Sequence, residues 1–309
     1  MPPSSPTAMS DWRAVALELH GETEKKLRNA IDDLKECIAQ KGREEIAYER
    51  NDEFLARFIR ASKFDVARAF KMLDGYYLNR ATMPQKVAPR GLGPKDTAFY
   101  VPLKSLAILD QKNWDGSTVL MFRKGEWEMT TSNVVLSDTL FFGYYAVEVA
   151  MRDPLVQLHG LTVVFDCAGY GLRHLPLCDT DVFKFLLNSA NGSYPVRIRA
   201  IHVLSCPMAF RFILNLAKSL LSPKMRTRLH VHPSSQNLGS YIDPAILPEE
   251  YSLASSTGPF SSERTFQRTA EYHDWLVARS YFGVQDNKTK RDDQALNSEE
   301  RSNSSADVV

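Results

Sequence analysis

RIRAIHVLSCPMAFRFILNLAKSLLS, residues 197–222, places a strand candidate, Ala200 to Leu204, directly before the most apolar helix candidate of the chain, Pro207 to Leu221. Within that helix Arg211, Asn215, Lys218 and Ser222 recur at i, i+4, i+7 and i+11 and form one narrow polar stripe. Met208, Phe210, Phe212, Ile213, Leu214, Leu216, Ala217, Leu220 and Leu221 make up nearly all the rest. An apolar arc this wide exceeds what one buried face requires. It fits a core helix covering a parallel sheet, or a helix with protein on one side and lipid or ligand on the other. At about fifteen residues it is too short to cross a bilayer. The surrounding tract, Val182 to Ile242, holds eight Lys/Arg (Lys184, Arg197, Arg199, Arg211, Lys218, Lys224, Arg226, Arg228) and no Asp or Glu. With 37 acids in 309 residues, an even spread would place about seven there, so charge is segregated. A greasy helix in a basic frame points to an anionic, oily partner, first of all a membrane surface.

Outward from this stretch, strands and helices alternate. Val119 to Phe122 and Leu161 to Phe165 are short continuous apolar runs, as expected of strands buried on both faces. Ser132 or Asn133 is placed to cap a helix running through Met151, Val182 to Ala190 reads as a second helix, and Leu229 to Val231 as a short strand. This order predicts a mainly parallel sheet with helices packed on it, an α/β fold. Residues 88–115, rich in Gly, Pro and turn residues, read as a connection. Ahead of it, Ser10 offers an N-cap for helical sequence from Asp11 to Gln40, broken near Gly21. Asp52 precedes the apolar set Phe54, Leu55, Phe58 and Ile59, and Asp65 caps a helix carrying Ala69, Met72, Leu73, Tyr76 and Tyr77. The expected organisation is an unstructured segment 1–9, a helical N-terminal module 10–87, an α/β domain 88–260, one C-terminal helix 261–285 and a disordered charged tail 286–309.

Composition narrows the function classes. Cys37, Cys167, Cys178 and Cys206 are widely spaced, which points to free thiols in a reducing compartment rather than a disulfide framework or zinc ribbon. No signal-peptide pattern, myristoylation glycine or CaaX box is seen, and no run reaches eighteen apolar residues, so membrane association is expected to be peripheral. The sequence carries no GxSxG, Walker A or GxGxxG, and no enzymatic activity or cofactor is expected. Gly91-Leu92-Gly93 lacks the third glycine. His230 and His232 alternate on one strand and would share a face, but no further ligand adjoins them for a metal. Asp179 and Asp181 are placed for N-capping, and Asp166 sits at a strand end like a switch-point acid. No nucleic-acid signature accompanies the basic tract. Asp307-Val308-Val309 has the form of a PDZ ligand.

Several strings resemble the CRAL-TRIO family. Phe54-Leu55-Ala56-Arg57-Phe58-Ile59-Arg60-Ala61 followed by Lys63-Phe64-Asp65 is similar to its helical N-terminal module. Val164-Phe165-Asp166, Cys167-Ala168-Gly169-Tyr170, Tyr194 to His202, His230-Val231-His232 and Leu247-Pro248-Glu249-Glu250-Tyr251 are similar to its lipid-binding domain. The nearest branch holds the tocopherol transfer proteins, the retinaldehyde-binding protein and the clavesins. The resemblance implies a helical module followed by a parallel sheet, with a mobile gate helix (Ser205 to Ser222) over a hydrophobic cavity. It implies a monomeric cytoplasmic carrier of one hydrophobic lipid, tocopherol-, retinoid- or phospholipid-like, that docks reversibly on phosphoinositide membranes, endosomes being the candidate compartment. The headgroup cluster of the family falls on Arg197, Arg199, Lys224 and Arg228. A fifth arginine falls on Ser62, with Lys63 beside it as a substitute, and the family's closing Glu-Tyr-Gly-Gly is Glu250-Tyr251-Ser252-Leu253. Gly143, Val147, Phe165, Ser189, Val196, Ile201, Phe210, Ile213 and Leu214 are the expected pocket lining. Two serines of the tocopherol carrier become Gly143 and Val147, and the retinaldehyde binder's pocket acid falls on Phe165. The alternative is a phosphoinositide sensor or regulatory scaffold that moves no lipid.

Overall fold

The computed structural model describes residues 6–82, 91–123, 136–172, 174 and 180–285. Its first part is helical: α1 (Pro6–His20), α2 (Glu24–Lys41), α3 (Asp52–Ala61) and α4 (Val66–Ala81). The last three start as their sequences dictate. Thr23, Asn51 and Asp65 each accept a hydrogen bond from a first-turn amide with the side-chain oxygen. Helix α1 departs from expectation, because it starts at Pro6 and not after Ser10, so residues 6–9 are helical. Proline suits a first helical turn, where its missing N–H forfeits no bond. Phe54, Leu55, Phe58 and Ile59 are buried against Leu34, Leu73, Tyr76 and Tyr77.

A two-residue strand, β1 (Ile46–Ala47), pairs antiparallel with β7 (Gly283–Val284), so the far end of the chain is fastened to this module. Residues 88–115 are more than a connection: Pro94–Leu103 is a 3-10 helix and Leu106–Lys112 is β2. Strand β2 is buried only over its first residues and hydrogen-bonds antiparallel to β3 (Thr118–Arg123) at the sheet edge. The remaining strands, β4 (Leu161–Asp166), β5 (Ile198–Leu204) and β6 (Leu229–His232), run parallel, giving the order β2-β3-β4-β5-β6. The mainly parallel five-stranded sheet matches the expected α/β class.

Between the strands lie α5 (Leu136–Ala150), the short α6 (Pro154–His159), α7 (Thr180–Asn188), α8 (Met208–Leu220) and α9 (Pro223–Arg226). The proposed caps Ser132, Asn133 and Asp179 lie outside the described residues. Asp181 sits within the first turn of α7 rather than before the helix. The expected single C-terminal helix is two, α10 (Glu263–Ala270) and α11 (His273–Arg279). The tail 286–309 and the Asp307-Val308-Val309 motif lie outside the described residues.

The sheet has two unlike faces. Val119, Met121, Val164 and Leu204 pack on Leu238, Ile242, Ile246, Leu247 and Phe260 in a buried apolar core. The opposite face, with Leu120, Phe122, Val163 and Phe165, looks into a cavity. At Arg199 the β4–β5 register slips by one residue, Leu161 pairing with Ile198 and Thr162 with Ala200. This bulge changes the side-chain alternation, so Ile198 and Ile201 both reach the cavity while Arg199 and His202 line the other side.

Candidate functional site

The cavity, about 390 Å³ in volume, is roofed by α8 and walled by β3 to β6, α5 and α7. Its size falls in the ~300–1,000 Å³ range of small-molecule sites. Gly143, Val147, Phe165, Ser189, Val196, Ile201, Phe210, Ile213 and Leu214 all stand in its wall. Phe165 stacks on Phe122 at 5.1 Å between ring centroids. Gly143 also has a packing reason: a Cβ there would lie 2.8 Å from Leu106 Cδ1 and 3.0 Å from Phe122 Cε1. The glycine lets α5 approach the sheet closely.

Helix α8 divides its side chains by the helical period. Phe210, Ile213, Leu214 and Ala217 turn to the cavity. Met208, Phe212, Leu216 and Leu220, four residues apart, point to solvent, with Met208 80% and Phe212 75% exposed. Arg211, Asn215 and Lys218 run beside them, also exposed. No residue of α8 is buried, although it is among the most apolar helices of the chain. It enters through Ser205, held at φ 52°, in the left-handed region that serine seldom occupies. Its other end is pinned by Asn191, whose Nδ2 donates to Leu220 O (3.1 Å) and whose Oδ1 accepts from Ser222 N (2.8 Å). Asn191 escaped the sequence reading because a polar residue in a Ser-Ala-Asn-Gly-Ser stretch looks like loop filler.

Beside the exit of α8 the basic residues gather. Arg197 Nη1 donates to Leu158 O at 3.0 Å, Arg228 Nη1 donates to Ile198 O, and Arg199 Nε lies 3.5 Å from Asp115 Oδ2. Lys224 and Lys63 are exposed, Lys63 at φ 59° on the turn between α3 and α4. Partial burial, then the fields of Arg228, Arg68, Lys63 and Arg197, lowers the pKa of Lys224. Arg197 is lowered by burial and by Arg199 and Arg228. Five expected cations and one unexpected, Arg68 on α4, therefore repel one another on a shared surface. Like charges gathered at such cost suit a polyanionic partner.

Three histidines stand on the sheet face away from the cavity. His202 Nδ1 and His232 Nε2 are 3.0 Å apart, His230 stacks on His202 at 5.1 Å, and Tyr241 packs against all three. Burial and both neighbours push His202 down to about 4. Among the described residues no group of three His, Cys, Asp or Glu is arranged to hold a metal ion. Asp166 accepts from Ala168 N (2.9 Å) and from Tyr251 Oη (2.8 Å), which makes it a turn anchor that ties down the Leu247–Tyr251 stretch.

One cluster went unforeseen. Glu148 on α5, 1% exposed, accepts from Arg57 (3.0 Å), Tyr76 (3.0 Å) and Tyr194, with Arg279 Nη2 at 3.6 Å. Burial opposes its charge, but Arg279, Arg57 and the two phenols outweigh that and hold its carboxyl below the ordinary range. Since Tyr194 also lines the cavity, this network ties the helical module and the α11 end of the chain to the cavity wall.

Comparison with known proteins agrees with this architecture. Residues 104–252 match the CRAL/TRIO domain and residues 25–75 the CRAL/TRIO N-terminal domain. The chain belongs to the CRAL-TRIO family of lipid-binding and transfer proteins. It is 27% identical over 235 residues to the alpha-tocopherol transfer protein-like protein of Homo sapiens, covering 76% of this chain and 67% of that one. It is 25% identical over 213 residues to Clavesin-1 of Rattus norvegicus, covering 68% of this chain and 59% of the relative. The crystal structure of Sfh5 superposes with a TM-score of 0.49 at 16% identity, covering 77% of this chain and 91% of that one. Among the described residues no helix is long and apolar enough to cross a membrane.

Proposed function

We propose that the protein carries one hydrophobic molecule in the cavity beneath α8 and exchanges it with membranes, α8 acting as the gate. The observation that carries this reading is the two-sided apolarity of α8 over an apolar cavity. A solvent-exposed row of Met208, Phe212, Leu216 and Leu220 is unfavourable in water and favourable among acyl chains. Docking on a bilayer would therefore stabilise a displaced α8. The cation group supports the second half of the proposal, reversible docking on phosphoinositide headgroups. Arg197, Arg199, Lys224 and Arg228, helped by Lys63, would contribute about 1 kcal/mol each near an anionic surface.

A ligand burying on the order of 500 Å² of apolar surface gains about 12 kcal/mol over water at ~25 cal/mol per Å². Leaving a bilayer costs a comparable amount, so exchange is nearly balanced in energy and gating sets its rate. The test is transfer of a fluorescent lipid between vesicles, with and without phosphoinositide, for the native chain and for one with Arg197, Arg199, Lys224 and Arg228 replaced by Gln. Acceleration that needs both the anionic lipid and the four cations is expected. Lipid binding with no accelerated exchange would instead favour a sensor.

A further inference from the structure

We infer that the molecule held in the cavity brings no hydrogen-bond donor with it: a hydrocarbon or polyisoprenoid chain, or an ether or ester of one, rather than a free alcohol, phenol or acid. This rests on the carrier reading and names its ligand class. Among the described residues lining the cavity there is no charged, amide, imidazole or indole side chain. Five polar side chains remain: Tyr144, Tyr194, Ser189, Cys167 and Cys206.

Each of the five already faces protein. Tyr194 Oη donates to Glu148. Tyr144 Oη lies 3.4 Å from Tyr76 Oη, whose own hydrogen goes to Glu148, which leaves Tyr144 to donate to it. Ser189 Oγ accepts from Asn79 Nδ2 at 3.1 Å. Cys206 Sγ and Cys167 Sγ point at the carbonyls of Pro207 (3.8 Å) and Phe165 (4.0 Å), and sulfur is a weak acceptor in any case. The strand backbones of β3 to β6 are joined in one ladder, and the interior amides and carbonyls of α5, α7 and α8 pair within their helices. A hydroxyl that donates can still accept, but these polar atoms are turned into the protein and the surface facing the cavity is almost wholly apolar, so an O–H brought into this space meets no oxygen within reach. A buried hydroxyl left unpaired lowers binding by about tenfold or more. Hydrocarbon and ether ligands carry no such hydrogen.

The experiment uses the full chain and matched isoprenoid pairs, each a free alcohol and its methyl ether, in geranyl, farnesyl and phytyl lengths. Each radiolabelled compound is presented in phosphatidylcholine vesicles, the vesicles are floated away, and label retained by the protein is measured. At the best-retained length the ether is expected to exceed the alcohol by about tenfold or more. Equal retention, or preference for the alcohol, overturns the ligand class and leaves the carrier reading standing. Retention of no compound at any length overturns the carrier reading, and this inference with it. A Val147→Thr variant supplies a control on the cause. Its added hydroxyl can donate to the helix carbonyl four residues back and still accept from a ligand O–H. The ether-to-alcohol ratio is expected to fall to a few-fold, and an unchanged ratio would show that wall polarity does not set the selection.

Discussion

Glu148→Gln removes one charge from a deeply buried polar cluster while keeping the side chain's shape. In the native protein Glu148 faces two guanidiniums, Arg57 at 3.0 Å and Arg279 at 3.6 Å, and Glu49 lies 3.2 Å from Arg279 on its other side. After the substitution Arg57 loses its anionic partner and Arg279 keeps only Glu49. Removing one partner of a buried ion pair costs about 3–5 kcal/mol, because the remaining charge stays desolvated. A glutamine oxygen can still accept from one tyrosine, so the lower half of that range, about 3 kcal/mol, is expected. At roughly 2–4 °C per kcal/mol for a chain of this size class, the melting temperature should fall by about 6–12 °C. Urea unfolding followed by tryptophan fluorescence measures the loss. Glu53→Gln is the control, since Glu53 forms an exposed pair with Arg152 at 3.7 Å and should change stability by less than about 1 kcal/mol. A Glu148→Gln loss no larger than that of the control would refute the idea that this carboxylate balances buried charge. The acid response has a fixed sign: Glu148 sits below its ordinary pKa, so its contribution is present above pH ~4.3 and fades as pH falls further.

The remaining predictions concern the sheet, the gate and the thiols. His202, pushed down to about 4 from 6.5, stays neutral in the folded state where the unfolded chain takes a proton. At 1.36 kcal/mol per pH unit its neutrality makes the fold lose ~3 kcal/mol as pH drops from 6.5 towards 4. A His202→Gln variant should flatten that slope, and an unchanged slope would assign the loss elsewhere. Asn191→Ala removes both bonds that hold the end of α8; both are solvent-exposed, so each is worth about 0.5 kcal/mol, and stopped-flow ligand release should quicken about fivefold while the melting temperature falls by only about 2–4 °C. Phe212→Asp with Leu216→Asp should abolish most vesicle association while leaving stability within about 1 kcal/mol, because both side chains already face water. Burial and the neighbouring Cys206 and Asp166 raise the Cys167 thiol to about 12. In a chain retaining only that cysteine, maleimide labelling at pH 7.4 should be at least tenfold slower than in urea, and vesicles that displace α8 should speed it.

How much of this was legible in the residues follows from where each signal resides. Strands β3 and β4 are buried on both faces, so each is a continuous apolar word that stands out. Strand β2 begins with the same kind of word, Leu106-Ala107-Ile108-Leu109, but runs out into Asp110-Gln111-Lys112 at the sheet edge and sits among turn residues, so its sequence reads as loop. Helix α6 spans fewer than two turns, too few for a period to show. The cavity lining was readable because Phe210, Ile213 and Leu214 follow from the helical period, and because Val147 and Phe165 hold positions marked by the family resemblance. The Glu148 network was not readable. Arg57, Glu148 and Arg279 are far apart in the chain, and each alone looks like one more surface charge. Only folding brings them together.

The pairing of Ile46–Ala47 with Gly283–Val284 has a consequence for how the molecule can be cut. It makes the polypeptide a buckled belt, in which the residues after α11 belong mechanically to the opening helices. Arg80 reinforces the clasp by donating to the carbonyls of Arg279 and Ser280. A shortened version ending after α10 would keep every strand of the large sheet, yet it would undo the buckle, withdraw Arg279 from Glu148 and leave the cavity's tyrosine wall without its backing.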